Sequence, residues 1–229
     1  MDSSTKSELF KYYSARAPEY EAFYEGGVPA KLPEPAVYRK ETGAIAKVLA
    51  DYIGGECIDI ACGTGFWLPV YEKNCRRIVL LDQSDKMLAE CRKKIEKLGI
   101  EKKTEVIADD FFGYPFLSQS YDSALSGFFL SHLTDAEEKD FFLVLKRILK
   151  PGGTLVIIDD VWSPEIAATG RPKAGRVRRS LSDGRQFTIF KRYFEKPDLY
   201  YLAERRDMKL EIVYWGRLFF LATGNFPGG

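Results

Sequence analysis

The sequence predicts an α/β protein: a doubly wound, mostly parallel sheet with helices on both faces, a helical cover before the first strand and an antiparallel hairpin at the end. Three observations carry this expectation. From Cys57 onward, short apolar runs alternate with stretches of helical period, the pattern of parallel strands joined by crossover helices. The stretch Cys57-Ile58-Asp59-Ile60-Ala61-Cys62-Gly63-Thr64-Gly65 takes an apolar strand straight into a small-residue turn and then into a helical pattern, which sets a ligand beside a helix N-terminus. Finally, Leu210 to Trp215 and Arg217 to Thr223 are strand-like runs separated by a single glycine, so they pair antiparallel.

The elements follow in order. Thr5 to Tyr13 reads as a helix, with Thr5 and Glu8 spaced as a capping box. A tyrosine-rich stretch follows through Arg16-Ala17-Pro18-Glu19-Tyr20, and Gly26 to Pro35, rich in Gly and Pro, reads as a loop. Val37, Ile45, Val48, Leu49 and Tyr52 recur at helical spacing until Gly54-Gly55 stops them. After the first strand, Phe66 to Asn74 is the expected crossover helix and Ile78 to Leu81 the second strand. Ser84 caps a helix whose Met87, Leu88, Cys91, Ile95 and Leu98 share one face and which stops at Gly99. Thr104 to Ala108 is the third strand and Tyr121 to Ser126 the fourth. Thr134 and Glu137 form a capping box for a helix carrying Phe141, Phe142, Leu145, Ile148 and Leu149; Pro151-Gly152-Gly153 closes it, and Thr154 to Ile158 is the fifth strand. Trp162 to Arg185 is polar, basic and punctuated by Gly and Pro, after which Phe187, Ile189 and Lys191 alternate like a strand or an extended segment over the core. Pro197 opens the last helix.

The turn carries the chemistry. Gly63 and Gly65 leave the backbone bare where the chain turns sharply. Asp82 closes the run Ile78-Val79-Leu80-Leu81, and a carboxylate about 20 residues beyond such a turn is placed to accept both hydroxyls of a ribose. The expected ligand therefore contains a nucleoside. The third glycine of the dinucleotide fingerprint is replaced by Leu68, which obstructs the close helix approach that a pyrophosphate needs, and Asp59 beside the turn would repel phosphates while welcoming an ammonium.

With Asp59, Ala61, Gly63 and Gly65 in its acid and glycine positions, the chain resembles the class I S-adenosylmethionine-dependent methyltransferases of the small-molecule type. Leu149-Lys150-Pro151-Gly152-Gly153 before the fifth strand resembles the same family. The resemblance implies a Rossmann-like seven-stranded sheet closed by the C-terminal hairpin, and S-adenosylmethionine as cofactor. It implies cofactor-binding roles for Tyr20 and Arg39 at the methionine end, for Asp59, Ala61, Gly63 and Gly65 at the turn, for Asp82 at the ribose, for Asp109, Asp110 and Phe111, where an acid accepts from the adenine amino group, and for Gln83 and Ser126. The N-terminal tyrosine-rich element of such enzymes folds over the cofactor. Asp207-Met208 stands where the family usually has Gly-Phe, which affects local turn geometry only.

Length and composition bound the rest. A chain of 229 residues, 45% hydrophobic with net charge +1, is expected to form one domain: residues 1–54 as helical cover, 55–161 as cofactor-binding half and 162–229 as acceptor cover with closing strands. The balanced charge demands neither nucleic acid nor a membrane surface. Four cysteines without a CxxC pair and a single histidine argue against a metal site and fit free thiols in the cytoplasm. No apolar run approaches the roughly 18 residues of a membrane span.

His132, after the fourth strand, stands on the edge where open α/β sheets bind ligands, with a pKa suited to general-base work. The expected partner is a small methyl acceptor, polar or anionic, under a cover formed by Trp162 to Phe194. In an extended segment Arg176 and Arg178 share a face with Arg179 opposed, whereas a helical turn pairs Arg176 with Arg179. Two alternatives stand beside this reading. The basic segment from Arg171 to Arg192 would suit an RNA methyltransferase, although Ser126-Gly127-Phe128-Phe129 lacks the Asn/Asp-Pro-Pro-aromatic pattern of base-amine enzymes. A cofactor-binding regulatory protein without transferase activity would carry the same turn.

Overall fold

The computed structural model describes residues 3–24 and 35–227; the expected loop from Gly26 onward lies outside the described residues as far as position 34. A seven-stranded sheet organises the chain. Its strands are β1 (Gly55–Ile60), β2 (Cys75–Asp82), β3 (Thr104–Ala108), β4 (Tyr121–Gly127), β5 (Leu149–Asp160), β8 (Lys209–Trp215) and β9 (Phe219–Asn225), in the order β3-β2-β1-β4-β5-β9-β8. The first five pair in parallel, and β9 runs antiparallel to both β5 and β8. Order reverses beside β1, where β2 lies on one side and β4 on the other. That switch point is where an open α/β sheet leaves a crevice at the C-terminal ends of its strands.

Both faces of the central strands are covered, so their alternate residues enter two separate cores. Cys57, Ile78, Leu80, Leu125, Val156 and Ile158 pack on one side. Ile58, Ile60, Val79, Leu81, Ala124 and Leu155 pack on the other. Helix α5 (Asp85–Leu98) starts on the Ser84 cap, whose Oγ accepts from the Met87 N–H, and ends at Gly99 in the left-handed conformation with φ +68°. The capping box of Thr134 and Glu137 forms at the start of α6 (Asp135–Ile148).

Several expectations change at element ends. Helix α1 spans Ser3–Arg16, so Thr5 falls inside its first turn and the Thr5–Glu8 box does not cap it. The Thr5 hydroxyl instead accepts from Arg176 Nη2 at 2.7 Å. The crossover after β1 is helical only over α4 (Leu68–Tyr71), followed by a 3-10 turn over Glu72–Asn74, because Gly63 to Trp67 are spent on turns and β2 begins at Cys75. The helix before β5 ends at Ile148, ahead of Leu149.

The largest departure concerns the basic segment. It holds a short helix α7 (Pro164–Ala168) and then a strand β6 (Ala174–Ser180), which pairs antiparallel with β7 (Gln186–Arg192) as a separate two-stranded ribbon. Val177, Leu181 and Ile189 of this ribbon pack on Tyr12 of α1. The N-terminal helix and the ribbon therefore bury each other's apolar faces above the sheet. A short helix α2 (Tyr20–Tyr24), the longer α3 (Pro35–Leu49) and α8 (Lys196–Arg205) complete the fold.

Candidate active site

The crevice begins at the turn after β1. Ala61, Gly63 and Gly65 take positive φ of 52°, 56° and 68°, and an alanine held there marks a backbone bent at a cost of about 1 kcal/mol for the sake of its position. A Cβ on Gly63 would point toward Met87 and Tyr20, reaching 3.9 and 4.0 Å from their nearest atoms, so this glycine keeps the backbone open to the crevice. The Gly63 N–H donates to Asp82 Oδ2 at 2.9 Å and the Ser84 N–H to Oδ1 at 2.8 Å. Asp82 thus fixes the turn while keeping further lone pairs free, and burial pushes its pKa up to about 6.

Of the residues expected from the sequence, Tyr20, Ala61, Gly63, Asp82, Gln83, Asp109, Asp110 and Phe111 line one cavity, and His132 closes it. Leu9, Phe10 and Tyr13 of α1 form its roof, and Met87, Phe128 and Phe129 complete the walls. Four expected residues lie elsewhere. Asp59 is buried and its Oδ2 accepts from the Tyr71 hydroxyl at 2.7 Å, so it braces α4 instead of facing an ammonium. Burial raises its pKa to about 7. Gly65 backs onto Cys91, with its added Cβ only 2.8 Å from Sγ; it serves the packing of the turn on α5. Ser126 is wholly buried, one residue behind the Gly127 and Phe128 that reach the cavity. Arg39 is exposed, because α3 turns Tyr38, Glu41, Thr42, Ile45 and Leu49 inward and this 3.6-residue stripe leaves position 39 outside.

A second cavity adjoins the first and is strongly basic. Arg16, Arg171, Arg178, Arg179 and Lys191 line it, with Glu19 and Asp160 as its only carboxylates among the described residues. Glu19 accepts from the N–H and the hydroxyl of Ser182. Asp160 holds Lys191 Nζ at 2.5 Å, and Asp159 lies 3.4 Å from the same ammonium. Arg16 is buried and has no carboxylate partner among the described residues: its guanidinium lies over the rings of Tyr20 and Phe23 and donates to the Tyr12 hydroxyl at 3.0 Å. Arg171 and Arg178 form no ion pair among the described residues. The strand expectation that joins Arg178 with Arg176 does not describe this cavity, since Arg178 and Arg179 line it while Arg176 reaches Thr5. Strand alternation fixes the side from which a side chain leaves the backbone, whereas a long guanidinium stem can still curve toward the pocket.

Tyr13, Phe128 and His132 belong to both cavities and form the neck between them. His132 sits on a 3-10 turn, Leu130–His132, with Nε2 2.7 Å from the Tyr13 hydroxyl and Nδ1 2.8 Å from the Phe190 carbonyl. Tyr13, Arg16 and Lys191 line these cavities although the sequence reading gave them no site role. Tyrosines on a helix read as packing, and a lysine in a strand reads as solvated; the signal available was the density of tyrosines around Arg16.

With this geometry the chain takes its place among known proteins. Residues 57–153 match a family described as a methyltransferase domain. The match spans the turn and the strands that build the first cavity. Phosphatidylethanolamine N-methyltransferase of Cereibacter sphaeroides is 28% identical over 106 residues, 46% of this chain and 51% of that protein. Demethylmenaquinone methyltransferase of Bacillus cytotoxicus is 30% identical over 128 residues, 53% of this chain and 50% of that protein. The chain thus spans about half the length of the curated relatives it matches. Among solved structures, a complex of DhpI with SAM and HEP superposes with TM-score 0.78 at 24% identity, covering 98% of this chain and 99% of that one. Residues 57–153 are thus similar to a methyltransferase domain, and the chain has the fold of the class I methyltransferases.

Proposed function

We propose that this protein transfers the methyl group of S-adenosylmethionine to a small anionic acceptor. The observation that carries this reading is the pairing of two cavities through one neck. One bears carboxylates at the ends of two successive strands and a bare glycine turn; the other bears, among the described residues, five cations against two engaged carboxylates. The first suits the cofactor, with Asp82 accepting from the ribose, Asp109 or Asp110 accepting from the adenine amino group, and Tyr20 beside the methionine end. A role for Arg39 is not part of this reading. The second suits an anion, because guanidinium groups offer forked donors to a carboxylate or a phosphate-like group. The likeness to DhpI in complex with SAM and HEP and to curated small-molecule methyltransferases supports a small acceptor.

The cofactor supplies an activated methyl group; the chain's part is to bind both partners, align them and exclude water. Alignment of two reactants in a dry pocket can supply about 7 to 11 kcal/mol of the barrier. The α1 roof and the aromatic neck provide that enclosure here. The direct test is calorimetry with S-adenosylmethionine, followed by incubation of the protein with methyl-labelled cofactor and a cell extract, with and without RNase. Label in acidic small molecules is expected. Label in RNase-sensitive material, or no cofactor binding, overturns the reading.

A further inference from the structure

The neck residue His132 is the chain's only histidine, and its surroundings settle what it does with protons. A backbone carbonyl only accepts, so the 2.8 Å contact between Phe190 O and Nδ1 puts the proton on Nδ1. The lone pair of Nε2 is then left to accept the Tyr13 O–H at 2.7 Å. Both ring nitrogens are used, and the ring is buried.

Charged groups face it from several elements. Arg16 comes from α1, Arg179 from β6 and Lys191 from β7. The nearby carboxylates of β5, Asp159 and Asp160, are committed to Lys191. A proton on Nε2 would add a further cation to this dry cluster and force the Tyr13 hydroxyl to turn away. Burial, with Lys191 adding to it, holds the imidazole well below the ordinary histidine range. Burial likewise raises the Tyr13 phenol well above its usual value, so neither partner is a ready proton acceptor.

We propose that Tyr13 and His132 are a positioning pair that aligns the acceptor without taking its proton and that, with the guanidinium-lined cavity beyond the neck suited to a carboxylate or phosphate-type group, the reacting atom is an oxygen of an acid already ionised at neutral pH. The inference rests on the methyl-transfer reading and narrows it to ester formation. The step balances without a base. A lone pair of the oxyanion forms the bond to the methyl carbon as the carbon–sulfur bond breaks and its electron pair stays on sulfur. One negative and one positive charge disappear together, and no proton is released. An alcohol, phenol or ammonium acceptor would instead have to lose a proton at this neck, where, among the described residues, His132 and Tyr13 hold each other and Asp160 is paired with Lys191.

A single histidine makes the test unambiguous. Long-range proton–nitrogen NMR of the unliganded protein should show the neutral Nδ1–H tautomer throughout pH 6 to 8, and Tyr13→Phe should shift the Nε2 signal without moving Nδ1–H. Inorganic phosphate added with S-adenosylhomocysteine should perturb the same ring. An inflection within that pH range, the Nε2–H tautomer or a ring indifferent to phosphate overturns the assignment. Methylated products from a cell extract should carry the new methyl on a carboxyl or phosphate-type oxygen, and Tyr13→Phe should lower kcat on that product roughly tenfold with KM little changed. A methyl found on a phenol, alcohol or nitrogen overturns the inference while leaving methyl transfer intact. Failure of the cofactor to bind in calorimetry defeats the broader reading instead.

Discussion

The backbone N–H of Gly63 donates to Asp82 Oδ2 at 2.9 Å, tying the turn after β1 to the end of β2. One carboxylate therefore shapes the turn and faces the first cavity at once. Replacing Asp82 by Ala removes acceptors for two ribose hydroxyls, each hydrogen bond worth about 0.5 to 1.5 kcal/mol. Affinity for S-adenosylmethionine should fall roughly tenfold or more, measured by calorimetry on protein with an unchanged circular dichroism spectrum. Because the carboxyl titrates at about 6, wild-type affinity should also weaken between pH 7.5 and pH 5, as the ionised acceptor is lost. Unchanged affinity in the Ala variant would remove Asp82 from the site.

Asp59 has a different cost. Its folded pKa of about 7 lies above the ordinary 3.8 because of burial, as does that of Asp82 at about 6. A carboxyl raised in this way binds its proton more tightly in the folded state. Its contribution to stability is full below about pH 4 and is lost as pH rises toward 7. Asp59→Asn keeps an oxygen for the Tyr71 hydroxyl and removes the charge penalty. It should raise Tm at pH 7.5 by several degrees, each 1 kcal/mol being worth about 2 to 4 °C in a chain of this size, and the gain should shrink at pH 4.5. Cofactor affinity should stay within about twofold. A lower Tm at pH 7.5 would show that the buried charge is compensated.

The parallel half of the fold was legible because its signals are local. Apolar runs such as Ile78 to Leu81, the Ser84 cap, Gly99 and the Thr134–Glu137 box each name one element, and the bare turn with Asp82 names the edge that binds. What stayed hidden depends on partners distant in sequence. Strand β6 reads as a charged loop because only Val177 of its side chains is buried, and it is buried against Tyr12, more than 160 positions earlier in the chain. Arg39 stands at a plausible distance before β1, yet the inward face of α3 is set by Tyr38, Glu41 and Ile45. The burial of Asp59 against Tyr71 was not legible, because a strand's alternation places a side chain on one face without saying whether that face ends in ligand or in core.

The cover over the cofactor cavity is latched. Glu21 of α2 accepts from Thr64 Oγ1 at 2.7 Å and from Lys94 Nζ, which also donates to the Gly65 carbonyl at 3.0 Å. Three segments, α2, the turn and α5, thus meet at one carboxylate. Removing it with Glu21→Ala should speed amide exchange in α1 and α2 severalfold, with β1 and β4 unaffected, since local opening draws on few contacts. The same variant should raise the dissociation rate of S-adenosylhomocysteine in stopped-flow fluorescence. Exchange that rises equally in the central strands would indicate global destabilisation and not a loosened cover.

The arginines of β6 divide by what already engages them. Arg176 is held by Thr5 on α1, whereas Arg178 lines the cavity and forms no ion pair among the described residues. Arg179 also lines it and donates to the Tyr193 hydroxyl at 3.3 Å. Arg178→Gln and Arg179→Gln should each raise the acceptor's KM, roughly tenfold at low salt, since a charge-assisted hydrogen bond is worth about 1.5 to 3 kcal/mol. The loss should be smaller for Arg178, whose side chain is the more exposed on its strand and whose charge salt screens more readily. Arg176→Gln should leave KM within about twofold and act on stability through its contact with α1. Cofactor affinity should be unchanged in all three, because these residues lie beyond the neck from Asp82. Steady-state kinetics at low and high salt, beside calorimetry with the cofactor, separate the cases. An equal rise in KM for Arg176 and Arg178, or a loss of cofactor binding in step with KM, would place the anion elsewhere.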